Sequence, residues 1–76
     1  MTLGVVVIGL GNIGMAADLS LDPDLYVYSH ARAFHQHPNF KLLAGIDSSA
    51  QRRAEFVEAY DRPVFVSVSE ALRSFD

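Results

Sequence analysis

Val5-Val6-Val7-Ile8-Gly9-Leu10-Gly11-Asn12-Ile13-Gly14 is the stretch whose reading decides the fold. Four apolar, β-branched residues run without a polar break, as in a strand covered by helices on both faces. A Gly-x-Gly-x-x-Gly spacing follows at once, at Gly9, Gly11 and Gly14. In a turn that receives a diphosphate each glycine has its own task. Gly9 allows the sharp exit from the strand, Gly11 lets bare backbone close on the phosphates, and Gly14 lets the next helix pack against the sheet. A helix opening at about Asn12 would then direct its free N–H groups and positive dipole end at the anion. The position directly after a buried-type strand lifts the motif above a chance match. Without a ligand, the same residues make a glycine-rich strand-to-helix turn.

Working outward, the first strand reads as Gly4 to Ile8, and the helix after it as interrupted. Asp18, Asp22, Pro23 and Asp24 cluster, and Asp22-Pro23 is a turn signal. A helical stretch is expected from Ser29, with Ala31, Phe34 and His35 on one face, until Pro38-Asn39 stops it. Leu19 to Tyr28 therefore reads as an insertion in a crossover helix. Phe40 to Asp47 is the second strand, nearly continuous in apolar character and ending on a carboxylate.

Ser48 and Gln51 form a capping-box pattern for the next helix. Ala50, Ala54, Val57 and Tyr60 give it an apolar face, with Arg52, Arg53, Glu55 and Glu58 in solvent. Asp61-Arg62-Pro63 ends it. Val64-Phe65-Val66 is a short third strand, and Ser67 with Glu70 opens a final helix through Ala71 and Leu72. The order β-α-β-α-β-α predicts an α/β fold with a parallel sheet and right-handed crossovers. It is a partial Rossmann arrangement in three layers, with strand order 3-2-1 across a single domain, residues 1–76.

Composition narrows the function. The chain has 76 residues, half of them hydrophobic, too apolar for a disordered segment. A net charge of −3, with scattered arginines and one lysine, gives no electrostatic footprint for nucleic acid. Cysteine is absent, which excludes disulfides, thiolate metal sites and thiol nucleophiles. No basic residue precedes Arg32, so the apolar start lacks the charged opening of a signal peptide. The run from Leu3 to Leu10 is too short to cross a bilayer. A cytoplasmic protein with no membrane partner is expected.

The end of the second strand selects the cofactor. In a dinucleotide fold it lies beside the adenosine ribose, where a carboxylate accepts from the hydroxyls and repels a 2′-phosphate. Asp47 stands there, followed by Ser48, and favours NAD over NADP. Arg52 and Arg53 keep NADP open, and a strand-end carboxylate can also be a plain helix cap. His30, His35 and His37 raise a metal reading, but positions 35 and 37 diverge on a helix and no carboxylate completes a set. Ser29 and Ser48 lack the Gly-x-Ser-x-Gly elbow of a nucleophile. Tyr26 and Tyr28 could line a substrate mouth or a subunit contact, or simply pack in the loop.

Taken together, these residues resemble a known family. Gly9-Leu10-Gly11-Asn12-Ile13-Gly14, His30-Ala31-Arg32-Ala33-Phe34 and His37-Pro38 are similar to the N-terminus of the Gfo/Idh/MocA oxidoreductases, relatives of glucose–fructose oxidoreductase and inositol dehydrogenase. Leu42-Leu43-Ala44-Gly45-Ile46-Asp47, Arg53-Ala54-Glu55-Phe56 with Tyr60, Pro63-Val64-Phe65 and Ser69-Glu70-Ala71-Leu72 continue the likeness in order. The inserted Asp22 to Tyr28 departs from the commonest pattern and is similar to a subgroup associated with bacterial surface-polysaccharide synthesis.

The resemblance implies an NAD(P)-dependent dehydrogenase acting on a sugar or cyclitol hydroxyl. It places cofactor binding on Gly9, Gly11, Asn12, Ile13 and Gly14 at the diphosphate and on Asp47 and Ser48 at the ribose. The family's fourth strand, its Glu-Lys-Pro segment with the catalytic lysine and its substrate domain would lie beyond Asp76. The chain is thus expected to be the cofactor-binding portion of an enzyme, inactive alone and with no catalytic residue of its own. Two other readings stand beside it. One is a nucleotide-binding module without catalysis. The other is a self-associating unit, a homo-oligomer formed through an exposed first strand.

Overall fold

A computed structural model describes residues 2–75. Along the chain lie β1 (Leu3–Ile8), α1 (His30–Gln36), β2 (Phe40–Ile46), α2 (Ala50–Tyr60), β3 (Val64–Phe65) and α3 (Val68–Ser74). The strands form one three-stranded sheet in the order β1-β2-β3, which is the expected arrangement counted from the opposite edge. Both pairings are parallel, so each connection must cross over, and α1 and α2 lie in those crossovers.

The pairing of β1 with β2 slips once. Val5 faces Leu42 but Val6 faces Ala44, so Leu43 is an extra residue. Side chains alternate along strands, and the bulge therefore puts Leu42 and Gly45 on the same face as Val5 and Val7. That face carries the core. Val7, Leu10, Met15, Ala31, Leu42, Phe56 and Tyr60 form one buried cluster, joined at its margin by Val5, Leu19, Phe34 and Val64. At Gly45 an added Cβ would come within 3.0 Å of the Phe56 ring, so the ring lies directly on the β2 backbone.

No α-helix opens at Asn12. Met15 and Ala16 both donate to the Gly11 carbonyl and Ala17 donates to that of Asn12, a wide turn that tightens into a single 3-10 turn at Ala16–Asp18. The cause is Asp18, whose side chain is fully buried. Its carboxylate accepts the N–H groups of Tyr28 and Ser29 and the Ser29 hydroxyl, all at 2.8 Å. Meeting those donors requires the chain to fold back instead of running on as a helix.

The helix begins at His30, capped by Ser29. Its first N–H groups, of His30 and Ala31, donate to the carbonyls of Ile13 and Gly14 at 2.9 and 2.8 Å. Residues 15–29 are thus looped out, and α1 starts against the glycine turn just as an uninterrupted crossover helix would.

Three local expectations need correction. Ser49, not Ser48, caps α2 by accepting the Arg52 N–H. The buried residues of α2 are Phe56 and Tyr60, while Ala50, Ala54 and Val57 are exposed. The two large rings, four residues apart, bury more apolar area than an alanine face could, and they fix the helix rotation. β3 ends at Phe65, one residue before Val66. Ser67 caps α3 by accepting the Glu70 N–H, as their spacing predicts.

Candidate functional site

The glycine turn leaves β1 through Gly9, at φ +89°, where a side chain would be strained. The Gly9 N–H still donates to the Ile46 carbonyl at 2.8 Å, which makes it the last rung between the strands. Leu10 then turns into the core and is fully buried. Among the described residues, the N–H groups of Gly11, Asn12, Ile13 and Gly14 donate to no protein acceptor. A run of free backbone N–H groups in a turn is an anion-binding concavity.

Gly11 and Gly14 differ in what surrounds them. A Cβ on Gly11 would meet nothing within 4 Å, so its backbone faces open space. A Cβ on Gly14 would lie 1.9 Å from the Gly9 carbonyl oxygen. Gly11 therefore keeps an approach clear from outside, and Gly14 closes the turn from within.

Asp47 stands at the tip of β2 and reaches the turn. Its Oδ2 accepts the Leu10 N–H and its Oδ1 accepts the Ser49 N–H, both at 2.8 Å. The Ser49 and Leu10 bonds hold its carboxyl below the usual carboxylate range against the cost of burial, with Arg52 and Arg53 adding a lesser lowering. Asp47 is thus ionised near neutrality, and each oxygen keeps a further acceptor direction. Arg53 donates to the Asp47 carbonyl at 2.9 Å and Arg52 pairs with Glu55 at 3.1 Å. Both guanidinium groups therefore have partners within the chain.

Asp47 and the exposed Ser48 border a depression of about 340 Å³ at the carboxyl ends of the strands, walled also by Ile8, Gly9, Val66 and Ser67. This is where open α/β sheets receive ligands. A recess of about 380 Å³ between Leu19, Ser20, Glu55 and Ala59 is larger, but it lies away from both the glycine turn and Asp47. Asn12 and Ile13 are exposed on the turn.

One expected contribution is missing. The helix N-terminus does not offer its N–H groups to an anion, because Ile13 and Gly14 take those of His30 and Ala31, and the Ser29 hydroxyl takes that of Arg32 at 3.2 Å. An anion held here would rest on the amides of the turn.

Behind the turn lies a polar cluster that the sequence did not announce. Asp18, Ser29 and Arg32 are all buried. The Arg32 Nη1 donates to the carbonyls of Leu21 and Tyr26, both at 3.0 Å, and its Nε lies 3.7 Å from Asp18. Burial works to raise the Asp18 carboxyl, but the Ser29 and Tyr28 hydrogen bonds and the Arg32 charge outweigh it and leave it lowered. Asp18 resembled a loop residue in the sequence because nothing local marks an aspartate for burial.

His35 and His37 take separate partners: the His35 ring packs on Tyr60, while His37 packs on Phe40 and accepts the Asn39 N–H. Among the described residues no helix is long and apolar enough to cross a membrane. No family model matches the chain, and neither a curated protein nor a solved structure is found to be similar to it.

Proposed function

We propose that the turn from Gly9 to Gly14 binds the diphosphate of a dinucleotide while Asp47, with Ser48 beside it, receives the adenosine ribose. One observation carries this reading: free N–H groups at Gly11 to Gly14 lie next to an ionised carboxylate bonded to Leu10, within the same turn. Donors for an anion and acceptors for sugar hydroxyls stand side by side. A phosphate alone would need only the first of these.

The negative charge of Asp47 disfavours a 2′-phosphate, and Arg52 and Arg53 already have partners. NAD is accordingly the cofactor, with NADP bound more weakly. Bound there, NAD supplies the hydride chemistry, and this chain's residues anchor and orient it. The likeness of the quoted segments to the Gfo/Idh/MocA oxidoreductases supports a sugar or cyclitol hydroxyl as the group oxidised. No residue of this chain is assigned a catalytic role.

Calorimetric titration of the chain with NAD and with NADP tests the reading. NAD is expected to bind at one site and at least tenfold more tightly than NADP, and Asp47→Asn should narrow that gap. Absence of saturable NAD binding would overturn it.

A second reading is favoured by the place of β1 at the sheet edge. Leu3 and Gly9 both direct their N–H groups toward the β2 side, so by alternation Gly4, Val6 and Ile8 turn theirs to the open side. The strand has no charge or proline to block pairing, and Leu3 and Ile8 are exposed. A second copy adding there would make a homo-oligomer. Sedimentation over a range of concentrations should reveal dimers, and a monomer throughout would rule this out.

A further inference from the structure

We infer that Tyr26 and Tyr28 form the contact for the nicotinamide half of the bound dinucleotide. The inference rests on the dinucleotide reading of the glycine turn and assigns residues that neither the motif nor Asp47 accounts for.

The turn has two ends with different neighbours. At its start, Leu10 is bonded to Asp47, the ribose end. At its finish, the Ile13 carbonyl accepts the His30 N–H, which brings the residues just before His30 alongside. A dinucleotide with its adenosine ribose at Asp47 and its diphosphate on residues 11–14 that continued past Ile13 would come to the residues just before His30, the segment that ends in Tyr28 and Ser29.

That segment is fixed from behind and apolar in front. Asp18 accepts the Tyr28 N–H, Arg32 donates to the Tyr26 carbonyl and Gln36 donates to the Pro23 carbonyl, at 2.8, 3.0 and 2.8 Å. Leu25, Tyr26, Val27 and Tyr28 are nevertheless 73, 40, 46 and 61 % exposed. A buried aspartate and a buried arginine thus hold a loop whose apolar side chains face solvent. Exposed apolar groups on a rigid support mark a contact surface. The Tyr26 and Tyr28 rings lie 5.8 Å apart and tilted by 44°, close enough to act together on one planar ring. Ile13, itself 67 % exposed, extends the surface back to the turn.

The test compares NADH with ADP-ribose, which has the same diphosphate and adenosine ribose but no nicotinamide. For the Tyr26→Ala/Tyr28→Ala variant, NADH affinity should fall about tenfold, the usual scale for losing aromatic stacking, while ADP-ribose affinity stays unchanged. The Tyr26→Phe/Tyr28→Phe variant should bind both ligands as the unaltered chain does. In the unaltered chain, magnetisation transfer should connect nicotinamide protons to tyrosine ring protons. Tyr60 is buried, so such a signal reports on the two loop tyrosines.

Equal losses for the two ligands, or no transfer from the nicotinamide, would overturn the inference while leaving the turn as the binding site. Failure of both ligands to bind the unaltered chain would overturn the site and this inference with it.

Discussion

The Cβ that Gly14 lacks would sit 1.9 Å from the carbonyl oxygen of Gly9. Backbone cannot yield as a flexible side chain can, so Gly14→Ala should cost more than the ~1–3 kcal/mol usual for overpacking. In a domain this small, that is a large share of total stability. Gly9→Ala has room for its methyl group but must hold φ +89°, at a cost of about 1–2 kcal/mol. Urea denaturation should rank the variants in that order, and a Gly14→Ala chain as stable as the parent would refute the closeness of this contact.

The buried Asp18 makes stability depend on acid. Its folded-state pKa is lowered, as is that of Asp47. A depressed carboxylate contributes stability that is fully present above its unfolded value, about 3.9, and is lost as pH falls toward the folded value. The melting temperature should therefore be level near neutrality and drop below about pH 4. Asp18→Asn should lower stability at pH 7, because Arg32 loses its buried counter-charge, and should flatten the acid drop. A variant with the parent's acid profile would show that Asp18 is not one of the groups responsible.

Tyr60 offers a stabilising change. Its hydroxyl is buried and has no hydrogen-bond partner among the described residues. Burial and the Asp18 charge push its pKa up, while nearby Ser29 and Arg32 oppose that shift, although neither meets hydrogen-bond geometry with the hydroxyl. An unsatisfied buried hydroxyl costs about 1–3 kcal/mol. Tyr60→Phe keeps the ring that packs on Phe56 and His35 and removes the orphan, so it should raise the melting temperature by several degrees. A fall would mean that the hydroxyl has a partner in solution.

The adjacent serines before α2 separate cleanly. Only Ser49 accepts the Arg52 N–H, so Ser49→Ala should cost about 1 kcal/mol, the usual worth of a cap. Ser48→Ala should cost little, since Ser48 is exposed. Thermal melts of the two variants check this, and equal losses would contradict the assignment.

Much of this architecture is legible in the residues themselves. The unbroken apolar runs of β1 and β2 mark strands, and Ser67 with Glu70 opens α3 as its spacing predicts. The glycine spacing and the acidic end of β2 identify the two groups that meet, although no local pattern says that Asp47 bonds to Leu10. What escaped depends on distant partners. The displaced start of α1 follows from Asp18 reaching Tyr28 and Ser29. Asp22-Pro23 marked an interruption but could not say that the helix would resume against the same turn. The rotation of α2 follows from Phe56 and Tyr60 competing for the core, which a count of apolar spacings treats no differently from alanines. Ser48 and Ser49 are equivalent in sequence until the φ and ψ of the cap are fixed.

The most direct measurement is NAD titration of the unaltered chain and of Gly11→Val, with a thermal melt of each. Gly11 faces open space and does not occupy the left-handed region, so the variant should melt within a few degrees of the parent while its side chain fills the approach to the free N–H groups. The parent should bind NAD, and the variant should lose that binding at least a hundredfold. A Gly11→Val chain that melts normally and binds NAD as tightly as the parent would contradict the assignment of the turn as the diphosphate site.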